Sequence, residues 1–152
     1  MKKIISMALV VIMLVCSSVT LVACGVPADY NDAKANLTEN EYKVEVITAD
    51  IAIKAALLVY GATDVNADAM VIGLKDEDAI NLVYCDTKED ADKLLDKIES
   101  FMDEAKQAID EMFDDKDSDE YKEAMAEIED SKIGKSGTVV YFGTAQGLKD
   151  VK

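Results

Sequence analysis

The sequence predicts an α+β domain built on an antiparallel sheet, and three observations lead there. Tyr42-Lys43-Val44-Glu45-Val46 alternates apolar and charged residues, the pattern of a strand with one wet face. Ala67–Leu74 and Ala79–Cys85 are two apolar runs joined by the polar turn Lys75-Asp76-Glu77-Asp78, which reads as a hairpin. Between Ala91 and Phe113, apolar residues recur at three- and four-residue steps, the period of an amphipathic helix.

The elements follow in chain order. Asp29 can N-cap a first helix over Tyr30–Glu39, with Tyr30, Ala33 and Leu37 on one side and Asn40 at its end. The strand around Tyr42–Val46 comes next. Asp50 can cap a second helix, whose body Ile51–Tyr60 is almost wholly apolar and which Gly61 ends. After the hairpin, Thr87 opens the long helix, with Asp90 placed three residues on as in a capping box. Its stripe is Ala91, Leu94, Leu95, Ile98, Met102, Ala105, Ile109 and Met112/Phe113. Asp114-Asp115-Lys116-Asp117-Ser118-Asp119 interrupts it, and helix resumes over Glu120–Glu129 with Tyr121, Met125 and Ile128 inward. Gly134 and Gly137 bracket an expected loop, Thr138–Phe142 is a last strand, and Gly143-Thr144 leads into a short C-terminal helix. Apart from the first and last helices the order is βαββαβ, that of the split-βαβ, ferredoxin-like sandwich. The wet strand faces predict a sheet covered by helices on one side.

Composition narrows the function. All 16 basic residues are lysines, set against 31 Asp and Glu, for a formal charge of −15. There is no Arg, no His and no Trp. Nucleic acid is excluded as a partner, because affinity for it comes from neutralising phosphates. Without His there is no Ser-His or Cys-His nucleophile pair and no imidazole metal ligand. Without Arg there is no bidentate clamp for phosphate or carboxylate substrates. Paired carboxylates can cleave glycosides, but here they lie on the polar face of a periodic helix, where solvation accounts for them. No enzyme and no cofactor is expected.

The N-terminus speaks to location. Met1-Lys2-Lys3 is a basic start, and Ile4–Val22 contains no charge. With a small-residue cleavage site after it, this is the layout of a secretory signal peptide. Leu21-Val22-Ala23-Cys24 resembles the lipobox of bacterial lipoproteins. By that resemblance Cys24 takes a diacylglycerol on its sulfur, the peptide is cut before it, and Cys24 becomes the new N-terminus on the outer face of the cell membrane. The same apolar run is also long enough to span a bilayer uncleaved, since about 20 residues suffice; both readings put the domain outside, with Lys2 and Lys3 inside. Residues 1–23 are thus the expected signal peptide, 24–28 a lipid-anchored tether, and 29–152 a single domain. Cleavage leaves 129 residues, 14 lysines and a formal charge of −17. Of the three cysteines, Cys16 leaves with the signal and Cys24 is the lipid site. Cys85 then has no intramolecular partner, and its place at the end of Ile80–Tyr84 predicts a buried thiol.

Three motifs bear on chemistry. Asp115-Lys116-Asp117-Ser118-Asp119 begins like a calcium-binding EF-hand loop, with carboxylates at the first, third and fifth positions. Such a loop needs Gly at its sixth position and a bidentate Glu at its twelfth; here these are Glu120 and Ala126. Asp115, Asp117 and Asp119 are therefore weak candidates for a metal, and an acidic linker is expected. Gly134-Lys135-Ser136 looks like the end of a Walker A loop, but the first required Gly falls on Glu129 and the segment precedes a strand. Asn36-Leu37-Thr38 is a formal glycosylation sequon, but it falls inside an expected helix end of a bacterial-lipoprotein-like chain and implies no modification.

From Asp29 onward the chain resembles small lipoproteins of Gram-positive bacteria. The resemblance lies in Ala28-Asp29-Tyr30, Ala33-Lys34-Ala35-Asn36-Leu37, Tyr42-Lys43-Val44, Val83-Tyr84-Cys85-Asp86 and Ser136-Gly137-Thr138-Val139-Val140-Tyr141-Phe142-Gly143-Thr144. It covers most of the mature chain at low density and brings no catalytic motif. It implies location and fold. The expected function is a membrane-anchored, non-enzymatic binding or adaptor domain. The alternative is a binder of cations or cationic peptides through the acidic face 86–130, with an inhibitor-like role as a variant of it.

Overall fold

The hairpin read from the sequence is the centre of the fold. The computed structural model describes residues 25–152. Strands β2 (Ala67–Lys75) and β3 (Asp78–Cys85) pair antiparallel, and Asp76 takes the left-handed conformation (φ +50°) in the turn between them. Strand β1 (Lys43–Ile47) flanks β2, with Lys43 opposite Leu74 and Ile47 opposite Met70. On the other side β3 pairs with β5 (Val139–Thr144), and β5 with β4 (Ser131–Ser136). The order is β1-β2-β3-β5-β4, antiparallel throughout.

The fold is therefore α+β with an antiparallel sheet, but its strand order differs from the ferredoxin-like expectation. In the split arrangement, the strands on either side of the first helix run parallel with another strand between them. Here β1 and β2 are direct antiparallel neighbours. The intervening helix α2 (Asp50–Leu58) has nine residues, about 14 Å at helical rise. It serves as a wide connection that returns the chain at the end of the sheet where it left.

The second difference is β4. Residues expected to form a loop between Gly134 and Gly137 instead make an edge strand. Gly137-Thr138 is a two-residue hairpin connection with Gly137 at φ +63°, a conformation that glycine adopts freely. Gly134 lies inside the strand opposite Tyr141, where a Cβ would come 2.5 Å from the Tyr141 hydroxyl.

The third difference concerns coverage, since helices pack on both faces of the sheet. Helices α2, α3 (Lys88–Met112) and α4 (Asp119–Asp130) cover one face, where Ile53, Leu57, Leu94, Ile98, Met102 and Ile128 meet Met70, Val83, Cys85, Val140 and Phe142. Helices α1 (Tyr30–Glu39) and α5 (Ala145–Asp150) cover the other, where Ala33, Leu37 and Leu148 meet Val71, Ile80, Leu82, Tyr84 and Tyr141. Two-sided burial explains why β3 is one continuous apolar run, since alternation is lost when both faces are covered. Fully burying a side chain such as Phe142 or Leu82 stabilises the fold by roughly 1.5–3 kcal/mol each.

The helix ends follow their sequence signals with one exception. Asp29 accepts the Asn31 N–H at 2.8 Å, and Thr87, Ser118 and Thr144 cap α3, α4 and α5 through their hydroxyls. Asp50, expected to cap α2, is its first residue; Ala49 holds the cap position with no side-chain bond, and the Asp50 carboxylate pairs with Lys54 at 3.2 Å. The helix also stops at Leu58 and leaves Ile51, Leu58 and Val59 exposed.

Residues 25–27 lie against the α1/α5 side. Val26 packs on that core, and the Tyr84 hydroxyl donates to the Pro27 carbonyl at 3.2 Å. Gly25 lies beside the aliphatic part of Lys152. Among the described residues, no helix is long and apolar enough to cross a membrane.

Candidate functional site

A cleft of about 620 Å³ lies at the end of the sheet where β5 passes into α5. Its construction begins with α4. Glu123, Ala126, Glu127 and Asp130 recur at helical spacing and line one wall. Glu77 of the β2–β3 turn and Asp78 at the start of β3 also line it, with Thr144, Ala145 and Gln146. Ser131 and Lys132, where α4 runs directly into β4, complete the cleft.

The local structure holds these groups in place. The Thr144 hydroxyl donates to Asp78 Oδ1 at 2.8 Å and accepts the Gly147 N–H at 3.0 Å, which ties the turn to the start of α5. Gly143 makes this approach feasible, because a Cβ there would collide with the Ala79 carbonyl. The Ser131 hydroxyl donates to the Glu127 carbonyl at 3.2 Å and closes the last turn of α4.

Five carboxylates line the cleft against one cation, Lys132. No basic residue lies in the last turn of α4, so the negative end of its dipole is uncompensated there. Glu127 is partly buried. Burial, and then the charge of Glu123, raise its carboxyl above the ordinary range. Its Oε2 is buried without a hydrogen-bond partner; among the described residues, Asn81 Nδ2 shares that condition. The arrangement suits a positively charged group, which would relieve the repulsion between carboxylates.

The residues singled out in the sequence lie elsewhere. Leu21, Val22, Ala23 and Cys24 fall outside the described residues. Asp115, Asp117 and Asp119 lie along the exposed stretch that joins α3 to α4. Asp115 Oδ1 accepts the Asp117 N–H at 2.9 Å, the Asp117 carbonyl accepts from Lys122 Nζ at 2.6 Å, and Asp119 is the first residue of α4. Lys116 turns to Asp110 at 2.8 Å, as does the Tyr121 hydroxyl at 2.7 Å. Among the described residues, no three acidic or sulfur side chains converge in a way that could hold a metal ion.

Cys85 is buried, as its apolar neighbours predict. Burial, then Asp90 and Asp86, push its thiol up to about 12, so it is protonated at neutral pH and a poor nucleophile.

Sequence reading missed the cleft because Glu77 and Asp78 read as a turn, and Ser131, Lys132 and Thr144 as loop or loop-flanking residues. The available signal was Gly137-Thr138 between two short runs, which marks a hairpin and hence a strand at 131–136.

The chain matches no family model, no curated protein and no solved structure among those compared with it.

Proposed function

We propose that this chain is a lipid-anchored, extracytoplasmic, non-enzymatic binding domain. The observation that carries the reading is Leu21-Val22-Ala23-Cys24 at the end of an uncharged run that follows Lys2-Lys3. Val26 packs on the α1/α5 core and the Pro27 carbonyl accepts from the Tyr84 hydroxyl, so the chain is held to the domain within a few residues of position 24. Labelling growing cells with a fatty-acid analogue tests the reading. Label should enter the wild-type chain and be lost in Cys24→Ala, which should also leave the precursor uncut or release the protein from the membrane. Label retained in Cys24→Ala overturns the lipoprotein assignment.

The cleft favours a second reading of what is bound. Of the acidic face 86–130, Glu123, Glu127 and Asp130 enter the cleft, and Glu77 and Asp78 join them from outside it. A ligand bearing a primary ammonium, such as a lysine-rich peptide, complements that set. Such binding weakens steeply as salt rises.

A further inference from the structure

We propose that the α1/α5 layer is the surface apposed to the bilayer, so that the acidic α3/α4 layer and the cleft face away from it. The inference rests on the lipid reading of Cys24.

The first support is the absence of slack. Cys24 is joined to Gly25 by one peptide, about 3.8 Å between Cα atoms. Gly25 lies on Lys152, Val26 packs into the α1/α5 core, and Pro27 is held by Tyr84. Tyr30, the first residue of α1, meets the Tyr84 ring edge-on at 6.0 Å and extends the same attachment. A lipid on Cys24 therefore enters the membrane beside this layer.

The second support is independent and electrostatic. The α1 and α5 segments, residues 29–40 and 145–152, carry three lysines against four acidic residues. Residues 88–130 carry six lysines against eighteen. Helices pack on a sheet at about 10 Å, so the two layers are about 20 Å apart, more than two screening lengths at physiological salt. An anionic bilayer thus tolerates the α1/α5 layer at contact and repels the opposite one. The exposed apolar residues of α2 lie across the sheet, because Ile53 and Leu57 of that helix pack in the α3/α4 core.

The test uses the full lipidated chain in vesicles of phosphatidylcholine and phosphatidylglycerol that contain a headgroup nitroxide. A thiol-reactive fluorophore is placed by Ala35→Cys on α1, Glu104→Cys on α3 or Ile51→Cys on α2, all exposed positions. The label at position 35 should lose most of its fluorescence, and those at 104 and 51 should keep theirs. Equal quenching at all three, or stronger quenching at 51 or 104, overturns the orientation while flotation with the vesicles still supports the anchor. A chain that does not float overturns the lipid reading and this inference with it. Inserting about twelve Gly and Ser residues after Cys24 adds roughly 20 Å of reach. It should erase the difference between positions without changing flotation; a difference that survives overturns the role of the docked segment.

Discussion

Glu127 is a carboxyl at odds with its surroundings, with Oε2 buried and unpaired. Its pKa is raised in the fold by burial and by Glu123. A carboxyl whose folded pKa lies above its unfolded value contributes stability while protonated, below the unfolded pKa. That contribution is lost as pH rises through the folded value. Glu127→Gln removes the buried charge at neutral pH and should raise the melting temperature at pH 7 more than at pH 4. Equal shifts at the two pH values would mean that the unpaired charge does not strain the cleft. The same reasoning makes a bound ammonium group favourable, since it would pull the pKa of Glu127 back down. Cys85 is a parallel case, because burial and the nearby Asp90 and Asp86 likewise disfavour its charged form.

Among the elements, α3 was the most legible, because a 25-residue helix states its buried face many times over. Its start is fixed by a reciprocal pair. Thr87 Oγ1 accepts the Asp90 N–H at 3.0 Å and donates to Asp90 Oδ2 at 2.6 Å. That hydroxyl, and then the Asn66 N–H, hold the Asp90 carboxyl below the ordinary range. A depressed pKa contributes stability above the unfolded pKa, lost as pH falls through the folded one. Thr87→Ala should cost about 1 kcal/mol at pH 7. Thermal unfolding at falling pH should show wild type and variant converging as Asp90 is protonated. A gap that stays constant into acid would separate the cap from the carboxylate. Helix α2 was less legible. An almost wholly apolar helix reads as one buried all round, yet Ile51 is 84% exposed because only the Ile53 and Leu57 side meets the core.

For the molecule as a whole, charge is the dominant long-range term. Residues 25–152 carry a formal charge of −17 and repel one another, and the repulsion is concentrated in the α3/α4 layer. Added monovalent salt should therefore raise the melting temperature by screening. Calcium at matched ionic strength should add nothing further, because Asp115 is committed to the Asp117 N–H and positions 120 and 126 are Glu and Ala. Saturable calcium stabilisation at or below about a millimolar, abolished by Asp117→Asn with Asp119→Asn, would instead make that loop a cation site.

The sequence by itself determined where the helices and most strands lie, because caps and apolar periods are local. Tyr30–Glu39, Thr87 with Asp90, and the β2–β3 hairpin all read directly from residues within a few positions of one another. It also determined that Cys85 is buried and that the chain holds no His and no Arg. Strand order was decided only by the tertiary structure. Whether α2 crosses the sheet or merely turns the chain depends on the pairing of Ile47 with Met70, a contact between residues far apart in sequence. The two covered faces also had to be seen, since the unbroken apolar run of β3 does not say which helices lie above and below it. The cleft was least legible of all. Its carboxylates come from a turn and a helix some 45 residues apart, and only the added edge strand β4 brings them to the same end of the sheet.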